Sequence, residues 1–529
     1  MGYWRRRHAT TALSPKDIFS RKEVDRKKCC CLFLTAAIAT CLTTESHAIQ
    51  FKAKGVWLAS FQYGQNGNFT DKGHTGYDPS EDEFEARSRV RIILDAVASE
   101  SLSGQVYFEI GKVIWGKGAN PQGGGALGAD GVIVKVKRAS IDWTMPNTDL
   151  KLRMGLQGIG LPYAAMDGPT VFQSDVAAVS ANYKFNENVG ITAFWARPYN
   201  DNYAGPKDVN YMDNMDMAGI TLPIRLEGFR VTPWAMYAAI GPNTFRTDKG
   251  YVENHINGVN GNYVLSGMLP LHADKVSHRE KLTGYGNAWW GGVSGDITLW
   301  DPFRIAWDFN YGSVNYDDSS LQRSGWMGAL LAEYKFDWGT PGIYGWYSSG
   351  DDDDLGNGSE RMPTVANDYG VCSFSGTFIG PDMNGLERDR VIGNNLVGTW
   401  GVGFRLKNMS FIEDLKHTFH VSLLGGTNDP GILEKYHDRT GVWMSPNNPK
   451  GQGKDSIGRE NMYLTTNDYA LEIGLLNTYK IYENLQVNLE ANYVALWLDK
   501  SDDVWGRSLA GRNGTKDAWN ITTLFIYSF

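Results

Sequence analysis

The chain has 529 residues, a formal net charge of −8 and a mean hydropathy of −0.35, and 21% of its residues are charged. An ordinary globular domain carries about 25% charged residues, whereas this chain is rich in glycine (61 residues) and aromatic residues (12%). After residue 48 no stretch contains the roughly 18–20 consecutive apolar residues that a membrane-spanning helix needs. The composition therefore excludes a helical membrane protein, and no basic pattern typical of nucleic-acid binding occurs.

The first 48 residues have the pattern of a secretory signal peptide. Basic residues at 26–28 precede an apolar run at 29–42, and small residues flank the cleavage position at 46–48. We predict cleavage after Ala48, which leaves a mature domain of residues 49–529. The long segment before the basic triplet suggests that translation starts at Val24. A lipoprotein anchored at Cys41 is the alternative to a cleaved leader.

The mature chain keeps one cysteine, Cys372, so an internal disulfide is excluded. Residues 1–48 contain 9 basic and 4 acidic residues; without them the chain has 42 basic and 55 acidic residues, a net charge of −13. Stability must then come from a source other than disulfides. Closure of a β-barrel, which pairs every strand edge, is sufficient.

Apolar and polar residues alternate throughout the mature chain in segments of roughly 10–14 residues, separated by loops rich in glycine, aspartate and asparagine. In residues 303–311, for example, every odd position is apolar and the intervening positions are mostly polar. This period of two indicates strands with one face towards lipid and the other towards water. We predict an all-β fold, a transmembrane antiparallel β-barrel of about 18 strands, with 16 as the alternative count. The strands are expected to begin near residues 50, 83, 104, 132, 149, 176, 189, 216, 229, 286, 303, 325, 341, 396, 415, 469, 485 and 518.

Short and long connections alternate along the chain, and the longest span residues 241–285, 350–394 and 425–467. In bacterial barrels the short turns lie on the periplasmic side and the long loops lie outside the cell. The last strand places Phe525, Tyr527 and the terminal Phe529 on one face. This aromatic ending resembles the assembly signal of Gram-negative outer-membrane proteins.

Three arginines alternate with Ser88 and Val90 in the second predicted strand: Arg87, Arg89 and Arg91. A charged side chain facing lipid costs about 2–4 kcal/mol, so these arginines are expected to point into the lumen. We predict a basic ladder there that favours anions, extended by the following residues: Arg138, Lys151 and Arg153. In the alternative interpretation, the arginines pair with inward carboxylates such as Glu109 or Asp142 and only fill the wall.

Four consecutive carboxylates, Asp351, Asp352, Asp353 and Asp354, begin the long segment after residue 350. Such a loop could fold into the lumen as a constriction, or hold Ca²⁺ near lipopolysaccharide. The alternative is a solvated acidic surface loop. We predict no other metal site and no other cofactor.

Several stretches resemble the homotrimeric outer-membrane porins of sulfate-reducing (Desulfovibrio-type) bacteria, namely residues 51–57, 84–92, 138–143 and 358–363 together with the terminal Phe529. The resemblance implies a trimer, an inward-folded loop and passive diffusion of small hydrophilic solutes and ions. Its implied partners are outer-membrane lipid, lipopolysaccharide and the outer-membrane assembly machinery. The basic ladder favours anions, although the net charge of −13 favours cations at the mouths.

Two other functional classes are compatible with the sequence. The first is an outer-membrane barrel enzyme of the lipase or protease type, for which Ser422 beside His420 is the nearest approach to a nucleophile and base. We predict no catalytic residue, because no complete nucleophile, base and acid set is recognisable. The second is a secreted β-rich binding protein, which would stay soluble without detergent.

Overall fold

The computed structural model describes residues 49–66, 84–118, 125–128, 134–200, 214–241, 267–270, 284–365, 396–441, 443–444, 463–507 and 516–529. The predicted signal peptide (residues 1–48) and Cys372 lie outside these residues. Nearly all regular structure is β-strand: β1 Gln50–Gln65, β2 Glu85–Val97, β3 Leu102–Ile114, β4 Val134–Thr144, β5 Lys151–Gly160, β6 Gln173–Lys184, β7 Gly190–Asn200, β8 Asn214–Thr221, β9 Ile224–Leu226, β10 Phe229–Ile240, β11 Gly286–Trp300, β12 Phe303–Asn315, β13 Arg323–Tyr334, β14 Thr340–Ser348, β15 Thr399–Ile412, β16 Leu415–Gly426, β17 Tyr469–Tyr482, β18 Leu485–Trp497 and β19 Ala518–Ser528.

The strands form one closed antiparallel barrel. Each strand pairs with its neighbours in sequence, and β1 pairs with both β2 and β19. Because β8 and β9 both pair with β10, they are two segments of one barrel strand, and the barrel has 18 strands. The predicted fold class and the count of 18 are confirmed, and each strand begins within three residues of its predicted start.

The alternation in the sequence separates the outer face of the barrel from its lumen. In β12, Phe309 and Tyr311 are exposed on the outer face, whereas Asp308 and Asn310 are buried on the inner face. Large apolar residues are exposed in the same way on the outer face of most other strands. A period of two has this effect because successive side chains point to opposite faces of a strand.

Connections of two to six residues join the strands at one end of the barrel, where the described chain also begins and ends, and the connections at the other end are longer. The predicted alternation of short and long links is therefore confirmed. One feature was not predicted, the helix α1 (Gly431–Thr440), which follows Pro430 and ends at Gly441 with a φ of 74°. Among the described residues, no helix is long and apolar enough to cross a membrane.

The last residue of the chain completes the seam between the first and last strands. Phe529 and Gly55 exchange two backbone hydrogen bonds, of 3.0 and 2.8 Å. The Phe529 ring stacks on Tyr527 and lies over Gly55, where a Cβ would be only 2.6 Å from the ring. Phe525, Tyr527 and Phe529 are exposed on the outer face, as the sequence predicted, whereas their role in assembly stays a prediction.

We expect Gly55→Val to destabilise the barrel by about 1–3 kcal/mol, because the new side chain would overlap the Phe529 ring and the Arg91 carbonyl. Urea unfolding in detergent micelles, followed by tryptophan fluorescence, measures the change. Ala53→Val, on the same face of β1, is the matched control and should change stability little. Equal stability of the two variants would mean that the seam does not depend on this contact.

Candidate functional site: the lumen constriction

The connection between β5 and β6, residues 161–172, folds into the barrel and is called here the crossing loop. Its backbone is held by Asp308, whose carboxylate accepts hydrogen bonds from the amides of Ala164, Ala165 and Met166 at 2.8, 2.9 and 2.8 Å. Asp308 lies on the lumen face of β12, so the loop reaches a distant part of the wall. Hydrogen bonds to an ionised acceptor are the strong ones, and three of them fix the loop in position.

Further contacts tie the crossing loop to the wall and to a second loop. The Ser294 hydroxyl donates to the Pro162 carbonyl at 3.1 Å, and the Arg304 guanidinium donates to the Ala164 carbonyl at 3.0 Å. The amide of Val365 donates to the Val171 carbonyl at 2.8 Å, which joins the crossing loop to the end of the segment that follows β14. The crossing loop is therefore fixed at both ends.

An ion-pair chain beside the crossing loop extends over the six strands from β10 to β15, and all of these strands except β14 contribute a side chain to it. Arg230 bonds Asp296, which also accepts from Arg304 at 2.8 Å. Arg304 contacts Glu333 at 2.8 Å, and Glu333 contacts Arg405 at 2.8 Å. Each carboxylate lies between two guanidinium groups, so the chain keeps five charged side chains in fixed positions on the lumen face.

A cavity of about 490 Å³ lies between the crossing loop and the ion-pair chain. Its charged lining comprises five cationic and three anionic side chains: Arg225, Arg230, Arg304, Arg405, Lys407, Asp167, Asp296 and Glu333. The lining therefore has an excess of two positive charges when all eight groups are ionised.

Asp167 is the charged side chain that the crossing loop contributes to this cavity. One of its carboxylate oxygens is buried without a hydrogen-bond partner among the described residues. Burial raises the pKa of Asp167 to about 6, although the nearby Lys407 and Arg405 act to lower it. Glu333 and Arg304 are the other charged groups that face it. The net charge of the constriction therefore depends on pH near neutrality.

The arginines predicted as a ladder lie on the lumen face of β2, and each contacts a carboxylate. Arg87 bonds Glu85, Arg91 donates to Glu109 at 2.8 Å, and Arg89 lies 3.9 Å from the same Glu109 carboxylate. These are the contacts that the alternative interpretation required. Their role in selectivity stays a prediction.

The three residues predicted to extend the ladder differ in their surroundings. Arg153 makes two hydrogen bonds to Asp142, of 2.6 and 2.9 Å. Arg138 passes over Gly158 of β5 and reaches Asp175 of β6 at 2.6 Å. Lys151 is exposed at the first position of β5.

Sequence reasoning missed the constriction. Of the six predicted pore-lining residues, none lies among the described residues that line the cavity. Arg304 and Asp308 were visible as polar residues in the alternating segment 303–311, which is the signal that could have found them. The crossing loop carried no such signal, because it is short and mostly apolar.

The four predicted loop aspartates lie beyond the end of β14. Asp351 is buried and accepts hydrogen bonds from Ser359 (2.5 Å) and Tyr463 (2.8 Å), whereas Asp353 pairs with Lys435 on α1. None of the four lines the constriction cavity in the part of the chain that is described. Over the same residues, no group of three or more histidine, cysteine, aspartate or glutamate side chains could hold a metal ion.

Ser422 and His420, the nucleophile and base that the sequence suggested for an enzyme, contact other residues. The Ser422 hydroxyl lies 2.5 Å from the Tyr344 hydroxyl, and His420 Nε2 lies 3.2 Å from Glu472. No hydrogen bond between Ser422 and His420 is found among the described contacts. The geometry gives this serine no adjacent base.

No protein-family model and no curated protein matches the sequence. Among solved structures, Pseudomonas aeruginosa OprD is 10% identical with a TM-score of 0.46, over 92% of this chain and 97% of OprD. Acinetobacter baumannii OccAB3 is 10% identical with a TM-score of 0.48, over 90% of this chain and 100% of OccAB3. Pseudomonas aeruginosa OccK8 (OprE) is 8% identical with a TM-score of 0.47, over 91% and 98% of the two chains. Similarity at this level establishes neither a family nor a function for this chain.

We expect Asp308→Asn to loosen the crossing loop, because an amide cannot accept three backbone hydrogen bonds as a carboxylate does. Each buried hydrogen bond lost costs on the order of 1–3 kcal/mol. Single-channel recording in planar bilayers should show a noisier and larger conductance than the wild type. Asp337→Asn, in an exposed short turn, is the control. Identical traces for Asp308→Asn and the wild type would show that this anchor does not set the pore width.

We expect anion selectivity to increase as the pH falls from 7.5 to 5. A carboxyl group whose pKa is raised to about 6 gains its proton in this range, so the constriction loses one negative charge. The reversal potential in a salt gradient measures the effect at each pH. In Asp167→Asn the pH dependence should be lost, because the cavity no longer contains this carboxyl group. A pH dependence that survives in this variant would assign it to another group.

Proposed function

We propose that this protein is an outer-membrane porin, a water-filled channel for the passive diffusion of small hydrophilic solutes and ions. The observation that carries the proposal is a closed 18-strand barrel with an apolar outer face and a charged lumen that an inserted loop narrows. A soluble protein has no reason to expose large apolar residues around a whole barrel, whereas a bilayer requires it.

The outer face fits a bilayer at both ends of the barrel. Near the short turns, Phe336 stacks with Trp338 at 5.4 Å and packs on Tyr334 at 4.5 Å. Towards the long loops, Trp326 stacks on Tyr347 at 5.5 Å. Aromatic side chains prefer membrane–water interfaces, so two such bands support a spanning orientation with the short turns in the periplasm.

The lumen supports a preference for anions. A solute that passes the crossing loop meets five cationic and three anionic side chains in a cavity of about 490 Å³. Neutral and anionic solutes small enough for this space should pass, and cations should pass less readily. The mechanism is electrodiffusion, in which pore width and wall charge set the rate and no bond is made or broken.

The remaining expectations from the sequence belong to this proposal. A leader of residues 1–48, removed after Ala48, would export the chain, and Phe529 would present the last strand to the assembly machinery. The mature protein would then contact outer-membrane lipid and lipopolysaccharide as a homotrimer. Ca²⁺ at the loop that begins with Asp351 stays a prediction from the sequence, and no group of metal-ligating side chains among the described residues supports it.

The two alternatives predict different behaviour. A barrel enzyme needs an activated nucleophile, and the contacts of Ser422 with Tyr344 do not favour one. A secreted binding protein should stay monodisperse without detergent, whereas this outer face favours aggregation in water. Hydrolase assays and light scattering without detergent test these alternatives.

The mature protein, refolded into planar bilayers, should give stepwise conductance with a reversal potential of anion-selective sign. Arg225→Gln should weaken this selectivity, because Arg225 lines the cavity and makes no ion pair among the described residues. Lys500→Gln, beyond the end of β18, is the matched control and should change little. A folded barrel that gives no conductance would refute the porin, and cation selectivity would refute the anion preference.

A further inference from the structure

The lumen contains two kinds of basic side chain, and they differ in their partners. The arginines of the wall contact carboxylates, as in the 2.6 Å contact of Arg153 with Asp142 and the 2.8 Å contact of Arg91 with Glu109. An arginine beside a carboxylate acts on a passing ion as a dipole, whose field falls off faster than that of a single charge. These arginines therefore add little to the field along the pore axis.

Lys52 makes no ion pair among the described residues but faces Asp95 across the strand. Four further lumen-facing lysines have neither an ion pair nor a facing carboxylate in the described part of the chain. They lie within three residues of the short-turn end of their strands and are exposed: Lys151, Lys184, Lys416 and Lys480. Across the strand they face polar residues or glycine, as in the register of Lys416 with Thr478 and Lys480 with Gln486. No carboxylate in the described part of the chain lies within ion-pair distance of any of the four.

Two of these lysines line a cavity of about 360 Å³ at the short-turn mouth. Lys416 and Lys480 project from the neighbouring strands β16 and β17, and Thr478, Gln486 and Ser528 add hydrogen-bonding groups. Two ammonium groups beside neutral hydrogen-bond donors suit an oxyanion, either a carboxylate or a phosphate.

Carboxylates also border this mouth, but they lie outside the lysines. Asp414 and Glu483 line the same cavity from the turns, and both are exposed. Every short turn of the barrel carries at least one exposed carboxylate: Glu100, Asp149, Glu187, Glu227, Asp301, Asp337, Glu413, Asp414 and Glu483. Water and salt screen a charge at this rim over about 8–10 Å, whereas a charge inside the lumen is screened less. The lysines therefore act on permeating ions more strongly than the turn carboxylates do.

We propose that the four lysines, named here the lysine layer, set anion selectivity between the constriction and the periplasm. Lys416 and Lys480 form a weak binding site for the oxyanion group of a permeating solute. This inference rests on the proposed porin function and goes beyond it, because it adds the lysines to the constriction as a source of selectivity and removes the carboxylate-paired arginines of the wall from that role. The arginine pairs then hold the wall in shape.

The test is Lys416→Gln/Lys480→Gln in full-length mature protein, recorded in planar bilayers in a KCl gradient. The chloride-to-potassium permeability ratio should fall about twofold. Asp414→Asn/Glu483→Gln, which neutralises the rim in the same cavity, should shift the ratio in the opposite direction. Lys416→Arg/Lys480→Arg should keep the wild-type ratio, and this pair also controls for folding.

A second measurement uses inorganic phosphate and acetate as probes of the binding site. Phosphate added on the short-turn side should reduce the KCl current, and the double glutamine variant should need about threefold more phosphate for the same reduction. An equal effect of acetate would identify a general oxyanion site, and an effect of phosphate alone would identify a phosphate site.

Two results would overturn the lysine layer without affecting the porin. The first is an anion-selective wild type whose ratio the double glutamine variant leaves unchanged. The second is an Arg89→Gln variant that lowers the ratio as much as the lysine pair does, which would return selectivity to the arginines. Absence of conductance in the wild type would instead refute the proposed porin function.

Discussion

The pairing of β1 with β19 is the constraint on which the rest of the structure depends. It joins the first and last strands of the sheet that the described residues form, so the strand backbone is hydrogen-bonded without help from water. It also fixes the register, with Trp57 opposite Tyr527 on the outer face and Leu58 opposite Ile526 on the inner face. A slip of a strand by one residue would turn the lumen charges of that strand towards lipid, at about 2–4 kcal/mol for each arginine.

Closure of the barrel places the charged residues of the strands on the lumen face. Because opposite charges lie close together there, they form ion pairs. Asp296 and Glu333 have little access to water, and each lies between two arginines. Removing one partner from such a pair leaves an uncompensated charge, so the pairs fix side-chain positions even where they add little net stability. The crossing loop then forms hydrogen bonds to fixed side chains of the wall, such as Arg304 and Ser294.

The sequence predicted the fold well because the signal for a strand is local. A period of two is visible within ten residues, and both the strand starts and the outward aromatic residues of β19 could be derived from it. The site could not be derived in this way. Asp308 contacts the amide of Ala164 across 144 residues, and Arg138 reaches Asp175 only because Gly158 leaves room for it. Such contacts depend on register and closure, so the prediction placed the key charges on β2 and the loop at Asp351.

The anchoring of the crossing loop also affects the charge of the pore. Asp308 would add a negative charge to the lumen, but three backbone amides surround its carboxylate and compensate that charge. Glu333 and Asp296 are likewise compensated by arginines. The carboxylates that build the constriction are thus the ones that act least on a passing ion. In the cavity that the loop borders, cationic side chains outnumber anionic ones by two, and Arg225 makes no ion pair in the part of the chain that is described.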